Sequence, residues 1–120
     1  VVALPLTPAT THTIGEAELR AMKPTAYLVN IARGAIVDEA ALARALEERW
    51  IGGAGLDVFE EEPLPAESPL WDMEDALISP HVAGFTPRYD ERAAALFADN
   101  LARYLEGEPL LNALDKKQGY

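Results

Sequence analysis

The sequence predicts an open α/β sheet of parallel strands with helices between them. Three observations carry that prediction. Four short runs, residues 1–6, 26–31, 54–59 and 76–78, are predominantly apolar instead of alternating, as strands covered on both faces are. Helical patterns separate the first three runs, which fits right-handed crossovers between parallel neighbours. Polar and charged residues gather where the runs end, at Asn30, Asp57 and Ser79.

The elements follow in order. After the first run, residues 15–22 read as a short helix with Glu16 and Glu18 in its first turn, where the helix dipole favours acids, and Pro24 beyond its end. The second run precedes Asp38, a candidate N-cap for a helix over 39–49 whose apolar face is Ala41, Leu42, Ala45 and Leu46. Gly52-Gly53-Ala54-Gly55 enters the third run and is read as a helix-to-strand turn. Residues 60–75 combine acids with prolines that forbid a crossover helix, so they are expected to form an ordered surface loop. After the fourth run, Thr86 as cap and Pro87 at the first helical position open a helix bearing Ala93, Phe97, Asn100, Leu101 and Tyr104, which stops at Gly107. The tail to Tyr120 has no period. Trp50 and Trp71 are read as packing residues and His12 as a surface-loop histidine.

Composition narrows the function classes. A chain of 120 residues, 49% hydrophobic, is expected to build one core. No run approaches the ~18 apolar residues of a membrane span. Twenty acidic against ten basic residues give a net charge of −10, which repels a phosphate backbone, so neither nucleic acid nor membrane is an expected partner. Without cysteine there is no disulfide and no thiolate metal site, and no metal is expected; cysteine usage does not set the redox compartment but permits the cytoplasmic location that is expected. The opening Val1-Val2-Ala3-Leu4-Pro5, inside an apolar run and without an initiator Met or a signal pattern, leads to the expectation of a piece of a larger protein.

In an open parallel sheet, ligands bind beyond the carboxyl ends of the strands. That edge would gather Arg33, Asp57, Glu62 and His81. They offer a guanidinium to grip a carboxylate, a carboxylate to orient an imidazole, and an imidazole to move a proton near neutral pH. Taken singly, each has a plainer reading: a solvated arginine, one glutamate of an acidic loop, a structural histidine. Their shared edge is what makes them candidates.

The motifs Leu4-Pro5-Leu6-Thr7 with Thr10, Leu28-Val29-Asn30-Ile31-Ala32-Arg33-Gly34, Val37-Asp38-Glu39-Ala40-Ala41-Leu42, Gly55-Leu56-Asp57-Val58-Phe59-Glu60-Glu61-Glu62-Pro63 and Ser79-Pro80-His81-Val82-Ala83-Gly84 resemble those of the D-isomer-specific 2-hydroxyacid dehydrogenases. The resemblance covers nearly the whole chain. It implies the second half of a Rossmann-type dinucleotide-binding domain over residues 1–85, then a return helix and tail over 86–120 toward a substrate domain lying elsewhere. It implies hydride transfer from NAD(P)H to the C2 carbonyl of a small 2-oxo acid. His81 would donate the proton, Glu62 would hold its other ring nitrogen, and Arg33 would bind the substrate carboxylate and polarise the carbonyl. Glu62 is the matching acid among three glutamates because it stands directly before the proline. Asp57 resembles the residue that contacts the nicotinamide carboxamide. Leu4, Pro5, Thr7, Thr10, Ile31, Ala32, Arg33, His81 and Gly84 match positions lining the cofactor, NAD or NADP. The resemblance also implies a homodimer.

Within the family, Glu62-Pro63-Leu64-Pro65, Ser68-Pro69-Leu70-Trp71 and the ending Asn112-Ala113-Leu114-Asp115-Lys116-Lys117-Gln118-Gly119-Tyr120 are similar to the glyoxylate/hydroxypyruvate reductase A type. What departs from the pattern is the lack of a GxGxxG turn for the pyrophosphate and of the acidic or basic residue for the ribose, so activity from these 120 residues alone is not expected. A competing expectation is a non-catalytic nucleotide sensor or corepressor of the same fold, and a third is a fragment with a structural role only. The formate-dehydrogenase branch fits less well, because it carries glutamine where Glu62 stands.

Overall fold

The computed structural model describes residues 1–117; Gln118, Gly119 and Tyr120, part of the tail motif, lie outside the described residues. Contacts divide the chain into Val1–Ala83 and Gly84–Tyr120.

In the first unit, α1 (Glu16–Ala21), β1 (Tyr27–Asn30), α2 (Glu39–Glu47), β2 (Gly53–Leu56) and β3 (Ala76–Ile78) follow one another, with short 3-10 turns at Gly34–Ile36 and Pro69–Asp72. The sheet runs β1-β2-β3, all parallel, with Tyr27 opposite Gly53 and Leu56 opposite Ile78. Leu28, Ala54 and Leu56 lie on one sheet face and join Leu19 of α1 and Leu42 and Leu46 of α2 in the core. On the opposite face, Tyr27 and Leu77 are exposed. Asp38 caps α2 by accepting the Ala41 N–H at 2.9 Å, and all four residues of the expected apolar face are buried. Arg44 of α2 reaches Glu16 of α1 at 3.2 Å.

Several boundaries differ from the sequence reading. Residues 1–6 form no strand. Val2 makes a single parallel bridge to Asn30, and Pro5, which has no N–H, leads into a turn in which Thr10 and Thr11 bond back to Thr7. β1 and β2 are each shorter than their apolar runs; β2 stops at Leu56, although the Asp57 N–H still bonds the Asn30 carbonyl at 3.0 Å. α2 ends at Glu47, two residues before Arg49, whose φ is +57°. Trp71 does not pack inside: it is 52% exposed, with its indole N–H on the Pro65 carbonyl at 2.8 Å. Trp50 is half-buried against the core under the Arg20 guanidinium, 3.5 Å from its ring centre.

The second unit is α3 (Tyr89–Glu106) and the tail. Its N-cap is Arg88, not Thr86, and Pro87 is not the first helical residue. The Thr86 carbonyl is taken by the Tyr89 N–H as a turn, and the helical ladder starts only when Arg92 bonds to Arg88. Gly107, at φ +72°, ends the helix in the left-handed region glycine favours. None of the α3 residues is buried, and Phe97, Tyr104 and Leu105 are prominently exposed.

Candidate active site

The carboxyl ends of the strands carry the polar groups. After β1, the buried Asn30 side chain accepts the Ala32 N–H at 3.1 Å and donates to the Arg33 carbonyl at 3.0 Å, which sets the path of the Arg33 segment. Gly34 follows. A Cβ built there would stand 1.8 Å from the Phe59 carbonyl carbon, so only glycine lets this turn lie against the segment leading to Glu62. Arg33 itself is exposed, with one guanidinium nitrogen on the Ala32 carbonyl at 2.7 Å.

After β2, Asp57, Val58 and Phe59 are buried and the chain emerges through Glu60, Glu61 and Glu62 into a cis peptide before Pro63. Both carboxylate oxygens of Glu62 are committed. Oε1 accepts the Phe59 N–H at 3.0 Å, and Oε2 lies 2.7 Å from His81 Nδ1. The His81 hydrogen bond, the Phe59 N–H and the positive charges of His81 and Arg33 hold the Glu62 carboxyl below its ordinary range against the opposing effect of burial. An ionised carboxylate only accepts, so Nδ1 is the donor and Nε2 is left to exchange a proton.

After β3, Ser79, Pro80 and His81 turn across the edge, with His81 at φ +55°. Asp57 is 4% exposed, and its carboxylate accepts from Ser79 Oγ at 2.6 Å, the Val82 N–H at 2.9 Å and the Ala83 N–H at 2.8 Å. Burial pushes the Asp57 carboxyl up, but those three donors and the nearby His81 together hold it below its ordinary value. A cleft of about 580 Å³ borders the Glu62–His81 pair, with Phe59, Leu64, Trp71 and Ile78 among its walls.

The other expected cofactor residues fall into two groups. Leu4, Pro5, Thr7 and Thr10 form the turn beyond Val2, where Thr10 Oγ1 accepts the Thr7 N–H at 2.7 Å and donates to the Pro5 carbonyl at 2.8 Å. Ile31, exposed, and Ala32, buried, stand beside that turn at the end of β1. Gly84 belongs to the second unit, and a Cβ there would meet no atom within 4 Å. His12, read as a bland loop residue, bonds Glu60 at 2.9 Å. The sequence reading named no role for Asn30, Gly34 or Ser79; a buried asparagine at the end of an apolar strand was the available signal, since such a group must find partners. Among the described residues, no three His, Asp or Glu side chains could hold a metal ion, and no helix is long and apolar enough to cross a membrane.

Residues 1–83 match the family profile described as D-isomer specific 2-hydroxyacid dehydrogenase, NAD binding domain. A glyoxylate reductase from Thermococcus gammatolerans is 53% identical over 108 residues, 90% of this chain and 32% of that protein. Glyoxylate/hydroxypyruvate reductase B from Pectobacterium carotovorum is 49% identical over 116 residues, 95% of this chain and 36% of that protein. Among solved structures, a D-isomer specific 2-hydroxyacid dehydrogenase from Xanthobacter autotrophicus in complex with NADPH and MES superposes with a TM-score of 0.92 at 44% identity, covering 99% of this chain and 48% of that one. An NADPH-dependent glyoxylate/hydroxypyruvate reductase from Sinorhizobium meliloti in complex with NADP and sulfate gives 0.89 at 36% identity, covering 98% and 38%. The chain thus spans about one third of the length of the curated relatives it matches.

Proposed function

Because this chain belongs to the D-isomer specific 2-hydroxyacid dehydrogenase family, we propose that the whole protein reduces a small 2-oxo acid to a D-2-hydroxy acid. Glyoxylate and hydroxypyruvate are the substrates to which the names of its relatives point. The observation that carries the reading is the Glu62–His81 pair: a carboxylate fixed through both oxygens holds Nδ1 at 2.7 Å and leaves Nε2 of a half-exposed imidazole to move a proton. Arg33, exposed and charged near Glu62, would take the substrate carboxylate in a charge-assisted fork and stabilise negative charge growing on the C2 oxygen. In the reverse direction, His81 accepts the proton.

The residues present fit the nicotinamide end of a dinucleotide. Exposed Ile31 just past β1 and half-buried Leu4 just past the Val2 bridge supply apolar surface, and the Thr7–Thr10 turn is braced by its own hydrogen bonds. Asp57, already holding three donors, has room for at most one more. Bound there, NAD or NADP supplies the hydride. No glycine-rich phosphate turn occurs in the 120 residues. The family resemblance also supports a homodimer and a cytoplasmic location, which light scattering and cell fractionation test.

The function is tested by following NADH and NADPH oxidation by the whole protein with glyoxylate and with hydroxypyruvate. Turnover with either acid is expected, and the faster nucleotide names the cofactor. Nucleotide binding without turnover of any 2-oxo acid would replace this reading with the sensor one.

A further inference from the structure

Resting on that functional reading, we infer that Asp57 is a positioning residue for His81: its carboxylate holds the Ser79 hydroxyl before the imidazole and the Val82 and Ala83 main chain after it, and so aims the ring at Glu62. Its three hydrogen-bond partners all lie within two residues of His81, namely Ser79 Oγ at 2.6 Å, the Val82 N–H at 2.9 Å and the Ala83 N–H at 2.8 Å. The clamp is rooted in the sheet, because the Asp57 N–H bonds the Asn30 carbonyl at 3.0 Å and the Ser79 N–H bonds the Leu56 carbonyl at 2.9 Å. What it restrains is unusual backbone. His81 is held at φ +55°, a region that a residue with a side chain keeps only when its surroundings over-determine it. With φ so fixed, the ring meets Glu62 Oε2 at 2.7 Å. Released to an ordinary negative φ, the side chain would leave from a different direction and lose that oxygen.

An amide cannot replace the clamp. Both oxygens of Asp57 accept a main-chain N–H, whereas an asparagine side chain has one accepting oxygen and would set an N–H₂ against either Val82 or Ala83. Ser79→Ala is gentler, since it removes the hydroxyl and leaves both main-chain bonds.

In the whole protein, Asp57→Asn and Ser79→Ala are compared with the native chain by two readouts. One is the NMR signal of the His81 Nδ1 proton, assigned by its loss in His81→Gln; the other is kcat set against the Kd for NADH. Asp57→Asn is expected to abolish the exchange-protected proton and to lower kcat by roughly 10- to 100-fold, a larger factor than any rise in the Kd from its place beside the nicotinamide. Ser79→Ala, whose melting temperature is measured alongside and expected near the native one, is expected to fall between the two. A protected proton and native kcat in both variants would overturn the inference, and so would a loss confined to NADH binding. If the native protein turns over no 2-oxo acid while Asp57→Asn still frees the Nδ1 proton, the positioning stands and the proposed reaction falls.

Discussion

His81 occupies the left-handed region, at a cost of about 1–2 kcal/mol for a residue with a Cβ, and its ring is met by a carboxylate that has no other freedom. The cost is local, and the gain is a fixed imidazole. Glu62 makes this linkage pH-dependent. Its folded-state carboxyl titrates below the ordinary glutamate value of 4.5, with the His81 hydrogen bond as the main cause, so its contribution to stability is full above about 4.5 and disappears as pH falls through the lower folded value. The pair is partly exposed, so solvent screens it and the effect is small. Glu62→Gln is expected to be less stable than the native chain at pH 6 and to approach it on acidification; melting temperatures measured from pH 6 to pH 3 check this, and a difference that grows toward acid would contradict it.

At the scale of elements, the close docking of the Gly34–Ile36 turn on Phe59 brings the Arg33 and Glu62 segments together. Gly34→Ala would place a methyl inside the Phe59 main chain, where no flexible side chain can yield. Overpacking of a tight contact typically costs about 1–3 kcal/mol, and here the backbone itself must move. The variant is expected to unfold at lower denaturant concentration and to lose turnover out of proportion to its stability. Native turnover in a folded Gly34→Ala protein would show that the docking does not set the site.

Much of this arrangement was legible in the sequence, for identifiable reasons. α2 declares itself through Asp38 and four apolar residues at helical spacing, and β3 through a run with no polar residue; both signals are local. Arg33, Glu62 and His81 stand out because chemistry-bearing side chains follow strand ends. The rest depends on distant partners. Residues 1–6 look like a strand but pair only at Val2, and Thr86-Pro87 looks like a helix start although the Tyr89 N–H takes the Thr86 carbonyl. Nothing local tells that Asp57 is held by residues more than twenty positions away, or that Gly34 lies against Phe59.

On the scale of the whole molecule, Val1–Ala83 holds one apolar core under one sheet face, while Tyr27 and Leu77 stand exposed on the other and α3 buries none of its residues. An excess of ten negative charges makes Arg33 a local exception in an acidic chain, suited to an anionic substrate only through its own guanidinium. The phosphate turn, the ribose contact and the substrate domain that the family reading requires are to be sought in the whole protein, since this chain spans about a third of its curated relatives. The most direct measurement therefore uses that whole protein: glyoxylate reduction by the native form and by His81→Ala, with NADH binding measured for both. General acid catalysis is worth about 10²–10⁴-fold, so His81→Ala is expected to lose at least a hundredfold in kcat while still binding NADH. Undiminished turnover in His81→Ala would contradict the assignment of proton transfer to this imidazole.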